Sequence, residues 1–144
     1  MRPTHHLIIS AGFGAAYGAA MNSWSGAAAV VISGVLIDLD HHIEYYIAHK
    51  KIPWSYKELK RFCAAHQEWN KIYLIFHSYE LLVILWLSAY IFQWNTFWTG
   101  IVVGMTQHMI CDEFYNPIRP LGYFWWYRIK HGFAREKIIK HPHE

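Results

Sequence analysis

The sequence predicts an all-α protein: an integral membrane four-helix bundle, with an interfacial helix in its middle loop and a basic amphipathic C-terminal helix. Three observations carry this. Of the 144 residues, 54% are hydrophobic and 18% aromatic, while only 16% are Asp, Glu, Lys or Arg, against roughly 25% in an ordinary soluble domain. The thirteen Lys and Arg are segregated: none falls between residues 3 and 49, and none between 72 and 118. Those two basic-free stretches hold four long apolar runs. Mean hydropathy over the whole chain is only +0.07 because the basic loop and tail offset them.

Taken in order, the runs predict helices over about 5–21, 26–47, 72–94 and 97–115, in a single membrane domain spanning 1–144. A membrane-spanning helix needs about 20 residues, with a range of roughly 17–25. The second and third runs reach that length, the fourth is borderline, and the first is short. The first is rich in Ala and Gly, poor for lipid contact but suited to close packing. Gly14-x-x-x-Gly18 and Gly100-x-x-x-Gly104 are small-residue faces that let helices touch. The short turns Asn22-Ser-Trp-Ser25 and Gln93-Trp-Asn-Thr96 carry no charge, whereas the loop 49–71 and the tail 117–144 hold six basic residues each. The positive-inside rule then puts both termini and the middle loop in the cytoplasm, in a multi-pass protein of the inner (plasma) membrane. Trp24, Trp94 and Trp98 fall at the outer boundary, and Trp54, Trp69, Trp125 and Trp126 at the inner one, as an aromatic belt does. The interfacial helix is predicted over Ser55–Glu68 and the basic helix in the tail.

Several classes are excluded. The composition is not that of a disordered chain. A net charge of +3 is too small for a nucleic-acid binder. Cys63 and Cys111 have no zinc-finger spacing. The N-terminus lacks the pattern of a cleavable signal.

The chemistry lies in the apolar runs. Their basic-free stretches hold six of the ten acidic residues (Asp38, Asp40, Glu44, Glu80, Asp112 and Glu113) and seven of the eleven histidines. A carboxylate in an apolar setting needs protonation, a salt bridge or a metal, and the salt bridge is largely unavailable. Helical spacing pairs Asp38 with His41 and His42, His77 with Glu80, and His108 with Asp112. Such pairs form metal sites in bundle cores. At about 1.5 Å rise per residue, Asp38 lies about 18 Å from the outer face, His108 about 16 Å and Asp112 about 22 Å, while Glu80 lies about 12 Å from the inner face. The pairs therefore share one slab near the cytoplasmic side. His5 and His6 open the first helix on that side. Steps of four from His6 meet Ser10, Gly14 and Gly18, whereas steps from His5 meet Ile9, Phe13 and Tyr17, so His6 is the favoured ligand.

At Gly34-Val-Leu-Ile-Asp38-Leu-Asp40-His41, Phe76-His77-Ser78 and Gly104-Met-Thr-Gln-His108-Met-Ile-Cys-Asp112, the chain resembles a known family. This is the bacterial family described as LexA-regulated, membrane-bound, metal-dependent hydrolases, distantly similar to the all-helical zinc-dependent phospholipases C. Its members carry an N-terminal Thr-His, an Asp-x-Asp-His ending the second helix, a Thr-His-Ser opening the third and a His-x-x-x-Asp in the fourth. These match Thr4 with His5 or His6, then Asp38, Asp40 and His41, then His77 and Ser78, then His108 and Asp112. The resemblance covers most of residues 4–117. It departs where the family has His-Arg-Gly ahead of Thr-His-Ser: here the chain reads Asn70-Lys-Ile-Tyr-Leu-Ile-Phe76, and Phe76 replaces the Thr. Glu80 stands where the family has an apolar residue.

The expectation is a metal-dependent hydrolase acting on an amphiphilic (phospho)ester, a lipid or lipid-linked substrate, at the cytoplasmic leaflet. Its ligands are drawn from His6, His5, Asp38, His41, His42, His77, His108 and Asp112, with Glu80 or Asp40 as general base. Mixed imidazole and carboxylate ligands suit Zn first, then Mn or Fe, as one or two divalent ions. The alternative is a non-enzymatic membrane protein that binds or moves a metal ion or proton.

Overall fold

The computed structural model describes residues 3–65 and 70–140, apart from the side chains of 64 and 65. Among these the protein is all-α, with no strand and two isolated β-bridges. The helices are α1 (Pro3–Met21), α2 (Trp24–Leu36), α3 (Leu39–His49), α4 (Tyr56–Ala65), α5 (Tyr79–Ile91), α6 (Thr96–Tyr115), α7 (Trp125–Lys130) and α8 (Arg135–Ile138), with a 3-10 turn at Pro120–Tyr123. The chain forms two compact units, Met1–Ile37 with Tyr79–Asn116 and Asp38–Ser78 with Pro117–Glu144. The division follows charge: every Lys and Arg except Arg2 belongs to the second unit.

In the first unit, α1 and α6 pack on α2, and α5 packs on α6. The small-residue faces are the reason. A Cβ added at Gly14 would lie 2.7 Å from Val31 Cγ2 and 2.9 Å from the Ala27 carbonyl oxygen, and one at Gly18 would lie 2.7 Å from Ala27 Cβ. On α6, a Cβ at Gly100 would strike the Gly26 carbonyl, and one at Gly104 the Val30 carbonyl and the Ser33 hydroxyl. Both glycine pairs thus bring α2 to backbone contact, as the sequence predicts. The two turns are capped locally. Ser23 Oγ accepts from Gly26 N–H at 3.1 Å and Asn95 Oδ1 from Phe97 N–H at 3.0 Å. Asn22, Gln93 and Trp94 turn the chain with left-handed φ angles of 47°, 55° and 56°.

The outer surface of this unit is apolar. Ile8, Phe13, Ile32, Ile84, Leu87 and Ile91 are all exposed, whereas a soluble helix keeps its outer face polar. By length and composition, one helical stretch among the described residues suffices to cross a membrane: Trp24–His49, 26 residues with mean hydropathy 1.3 and 33% buried. The apolar helix α5 is shorter, at 13 residues.

Three features differ from the sequence expectation. The helix predicted over 26–47 is interrupted at Ile37–Asp38, where His41 N–H bonds back to the Asp38 carbonyl at 3.1 Å, a tighter i→i+3 turn. The helix predicted over 72–94 begins only at Tyr79. Residues 72–77 are irregular, neither helix nor strand, because their backbone groups find partners elsewhere in the second unit. Ile72 N–H bonds to the Phe133 carbonyl at 2.9 Å. Glu44 Oε1 accepts from Tyr73 N–H at 2.6 Å and Leu74 N–H at 3.2 Å. Asp40 Oδ2 accepts from Phe76 N–H at 2.6 Å and His77 N–H at 3.0 Å. The buried Arg128 donates from Nη1 to the Tyr73 carbonyl, from Nη1 to the Leu74 carbonyl at 2.6 Å and from Nη2 to the His77 carbonyl at 3.1 Å. The tail is not one amphipathic helix, since Pro120 opens a 3-10 turn and Gly132 and Phe133, with φ of 59° and 60°, separate α7 from α8. The helix predicted over Ser55–Glu68 is present as α4 over its described part; Trp69 and the end of the helix predicted to Glu68 lie outside the described residues.

Candidate functional site

Each unit gathers its own group of imidazoles and carboxylates. In the first unit, His6 lies one turn into α1, on the buried face continued by Ser10 and Gly14. Ser10 Oγ donates to Gln107 Oε1 at 2.8 Å, which sets α1 against the face of α6 that carries His108 and Asp112. The His6 and His108 rings stack with centroids 3.8 Å apart and 13° between planes. Both turn Nε2 to one carboxylate: His6 to Asp112 Oδ1 at 3.1 Å and His108 to Asp112 Oδ2 at 3.3 Å. All three residues are buried. His108 Nδ1 lies 2.7 Å from the Gly34 carbonyl oxygen.

In the second unit, Asp38, at the helix interruption, and His41, on the first turn of α3, face His77 at the end of the irregular segment 72–77. His41 Nε2 is 3.8 Å and His77 Nε2 3.9 Å from Asp38 Oδ1. One ligand atom from each of the three lies within 4.8 Å of the others. His77 is buried, and its Nδ1 lies 2.9 Å from Asp40 Oδ2. Asp40 thus orients His77 as a carboxylate behind a metal-binding imidazole does.

The tautomers follow from the partners. A carbonyl or carboxylate oxygen can only accept, so Nδ1 of both His108 and His77 must carry the proton. In the neutral ring Nε2 is then a lone-pair acceptor. In both units that lone pair faces a carboxylate oxygen that also only accepts. Such an arrangement is repulsive unless a proton or a cation lies between. Asp40 Oδ1 and His6 Nδ1 are buried and have no hydrogen-bond partner among the described residues. Among the described residues the first unit contains no Lys or Arg. Asp38, His41 and the buried His77 could hold a metal ion.

The remaining predicted residues are placed as follows. His5 and His42 are exposed, one residue removed from His6 and His41. Glu80 is in the first turn of α5, in the first unit, whereas His77 precedes that helix in the second. The two are therefore not a pair on one helix face, because the backbone between them leaves helical geometry. Asp40 has its Oδ2 committed to three N–H groups. Glu44 is buried and binds backbone rather than solvent. Glu113 accepts from Tyr79 OH at 2.7 Å.

Two contributors escape sequence reasoning. Arg128 reads as one charge of a basic tail, yet it is wholly buried beneath the segment that carries His77. Its only local signal is an i, i+3 position between aromatic neighbours. Cys63 of α4 lies near the His41 side chain, and no spacing rule announces it. No family model, curated protein or solved structure matches the chain.

Proposed function

We propose that the protein is a membrane-embedded, metal-dependent hydrolase of an amphiphilic ester or phosphoester, as its resemblance to the membrane-bound hydrolases implies. The observation that carries the metal reading is the facing of acceptor on acceptor in both units: His108 against Asp112, and His77 against Asp38. His6, His108 and Asp112 would hold an ion in the first unit, and Asp38, His41 and His77 in the second. When bound, a divalent ion supplies Lewis acidity to a phosphoryl or acyl oxygen and acidifies water.

The protein's own groups have separable tasks. Asp40 fixes the tautomer and ring orientation of His77. The Gly34 carbonyl does the same for His108. Arg128 holds the irregular segment that presents His77. Glu80 is proposed as the general base. The exposed apolar side chains of the first unit, and the confinement of basic residues to the second, support a bilayer setting with the second unit at the cytoplasmic side.

The test is release of head group or phosphate from a panel of lipids in mixed micelles, with zinc, manganese or iron restored. A metal-dependent product is expected for at least one lipid. Glu80→Gln should lower that rate by about 10²–10⁴ with metal content unchanged. No turnover of any lipid, together with metal or proton flux across liposomes, would favour the carrier reading instead.

A further inference from the structure

A second feature of the second unit is not used by this chemistry. The end of α3, the loop after it and α4 enclose an open hollow of about 520 Å³, lined by Tyr45, His49, Lys51, Lys57, Arg61 and Phe62, with Ser55 and Glu58 at one end. The size is within the roughly 300–1,000 Å³ of small-ligand sites. Its floor is aromatic. Tyr45 and His49 lie 4.5 Å apart, and Phe62 meets Tyr45 edge-on at 5.3 Å and His49 at 5.5 Å. Glu58 pins the loop over this floor: it accepts from Tyr45 OH and from Trp54 N–H at 2.8 Å, and pairs with Lys51 Nζ at 3.2 Å. Ser55 Oγ caps α4 by accepting from Glu58 N–H at 3.2 Å.

Among the described residues the single acid of the hollow is thus already committed, to a hydroxyl, a backbone amide and Lys51. Lys57 and Arg61 stand one turn apart on α4 and have no carboxylate partner among the described residues. The hollow is left with two uncompensated cations above a ring-lined floor, so its complement is an anion carried on an apolar body. The surroundings point the same way. Ile52 is 74% and Trp54 91% exposed beside the rim. Exposed Ile and Trp next to Lys and Arg are what a membrane interface accommodates and what bulk water does not favour.

We propose that this hollow binds the phosphate headgroup of an anionic phospholipid. Lys57 and Arg61 take the phosphate oxygens, and Ile52 and Trp54 enter the interface beside the acyl chains. The proposal rests on the bilayer setting proposed above, but not on the metal centre.

The experiment uses the full chain in a neutral detergent, titrated with short-chain phosphatidylglycerol, short-chain phosphatidylcholine and inorganic phosphate, and followed by calorimetry. Phosphatidylglycerol should bind at least tenfold more tightly than either of the others. Lys57→Gln with Arg61→Gln should weaken it about thirty-fold, at about one basic side chain's worth of surface attraction each, with helix content and metal content unchanged. The single variant Lys130→Gln, an exposed cation outside the hollow, should leave binding as in the parent. Equal affinity for the two lipids, or full binding by the double variant, would overturn the proposal. Inorganic phosphate binding as tightly as the lipid would overturn the assignment to a lipid. Because metal content is read on the same samples, failure of the headgroup site and failure of the hydrolase reading give different results.

Discussion

Replacing Arg128 by Met tests how the irregular segment 72–77 is held. Arg128 is wholly buried and donates to three carbonyls, those of Tyr73, Leu74 and His77. Hydrogen bonds from a charged donor contribute about 1.5–3 kcal/mol each, so the three together amount to about 4–9 kcal/mol. Removing the guanidinium also removes its desolvation cost, which offsets part of the loss. Three carbonyls are then left without their donor, and the net cost of breaking such a buried arrangement is about 3–5 kcal/mol. At about 2–4 °C per kcal/mol for a chain of this size, Tm should fall by roughly 6–20 °C. Leu74 makes the segment still more dependent on the contact, because it holds a φ of 44°, a costly backbone for a side chain with a Cβ. Arg128→Lys keeps the charge but not the planar fork, and should lose about half as much. Lys130→Met, on the exposed side of α7, should change stability by less than about 0.5 kcal/mol. The assay is thermal unfolding followed by near-ultraviolet circular dichroism. An Arg128→Met protein melting within about 2 °C of the parent would refute the reasoning.

Other outcomes follow from the same contacts. Asp40→Ala should weaken metal binding about 10–100-fold, since His77 loses the carboxylate that orients it; competition with a chelating dye reads this. Gly104→Leu should destabilise the first unit by more than about 3 kcal/mol, because its side chain has no room against the Val30 carbonyl and Ser33, whereas Gly12→Leu, with nothing within 4 Å of its Cβ position, should melt near the parent. Glu58 titrates at about 2, held down first by the Tyr45 hydroxyl, then by the Trp54 amide and Lys51. A depressed carboxylate stabilises above its ordinary pKa and loses that contribution as pH falls through the lowered value. Trp54 fluorescence should therefore change between about pH 4.5 and 2, and Glu58→Gln should abolish the transition.

Much of the fold is legible in the sequence where cause is local. The steps from His6 through Ser10 to Gly14 mark the buried face of α1, and the glycine pairs mark where α2 is touched. Ser23 and Asn95 announce the starts of α2 and α6 by their capping chemistry. The segment 72–77 is illegible for a definite reason. Ile72-Tyr-Leu-Ile-Phe76 is an apolar run of β-branched and aromatic residues, equally consistent with helix or extended chain. What decides is Glu44, Asp40 and Arg128, about 30 to 55 residues away, whose side chains satisfy the backbone in place of helical bonds. The same contacts keep His77 off the helix that carries Glu80 and give Asp40 to His77. His41 rather than His42 faces Asp38 because helix α3 starts only after the interruption, a phase that i, i+3 and i, i+4 spacing leaves open.

We propose that the cation between the facing imidazole and carboxylate acceptors is a metal ion rather than a proton. Elemental analysis of protein purified in detergent without added chelator tests this most directly, alongside His77→Ala and Asp112→Ala. The account predicts about one to two divalent transition-metal ions per chain in the parent, and reduced occupancy with lowered Tm in each variant. A parent that carries no metal, and folds and melts the same with and without added zinc, manganese or iron, would contradict it.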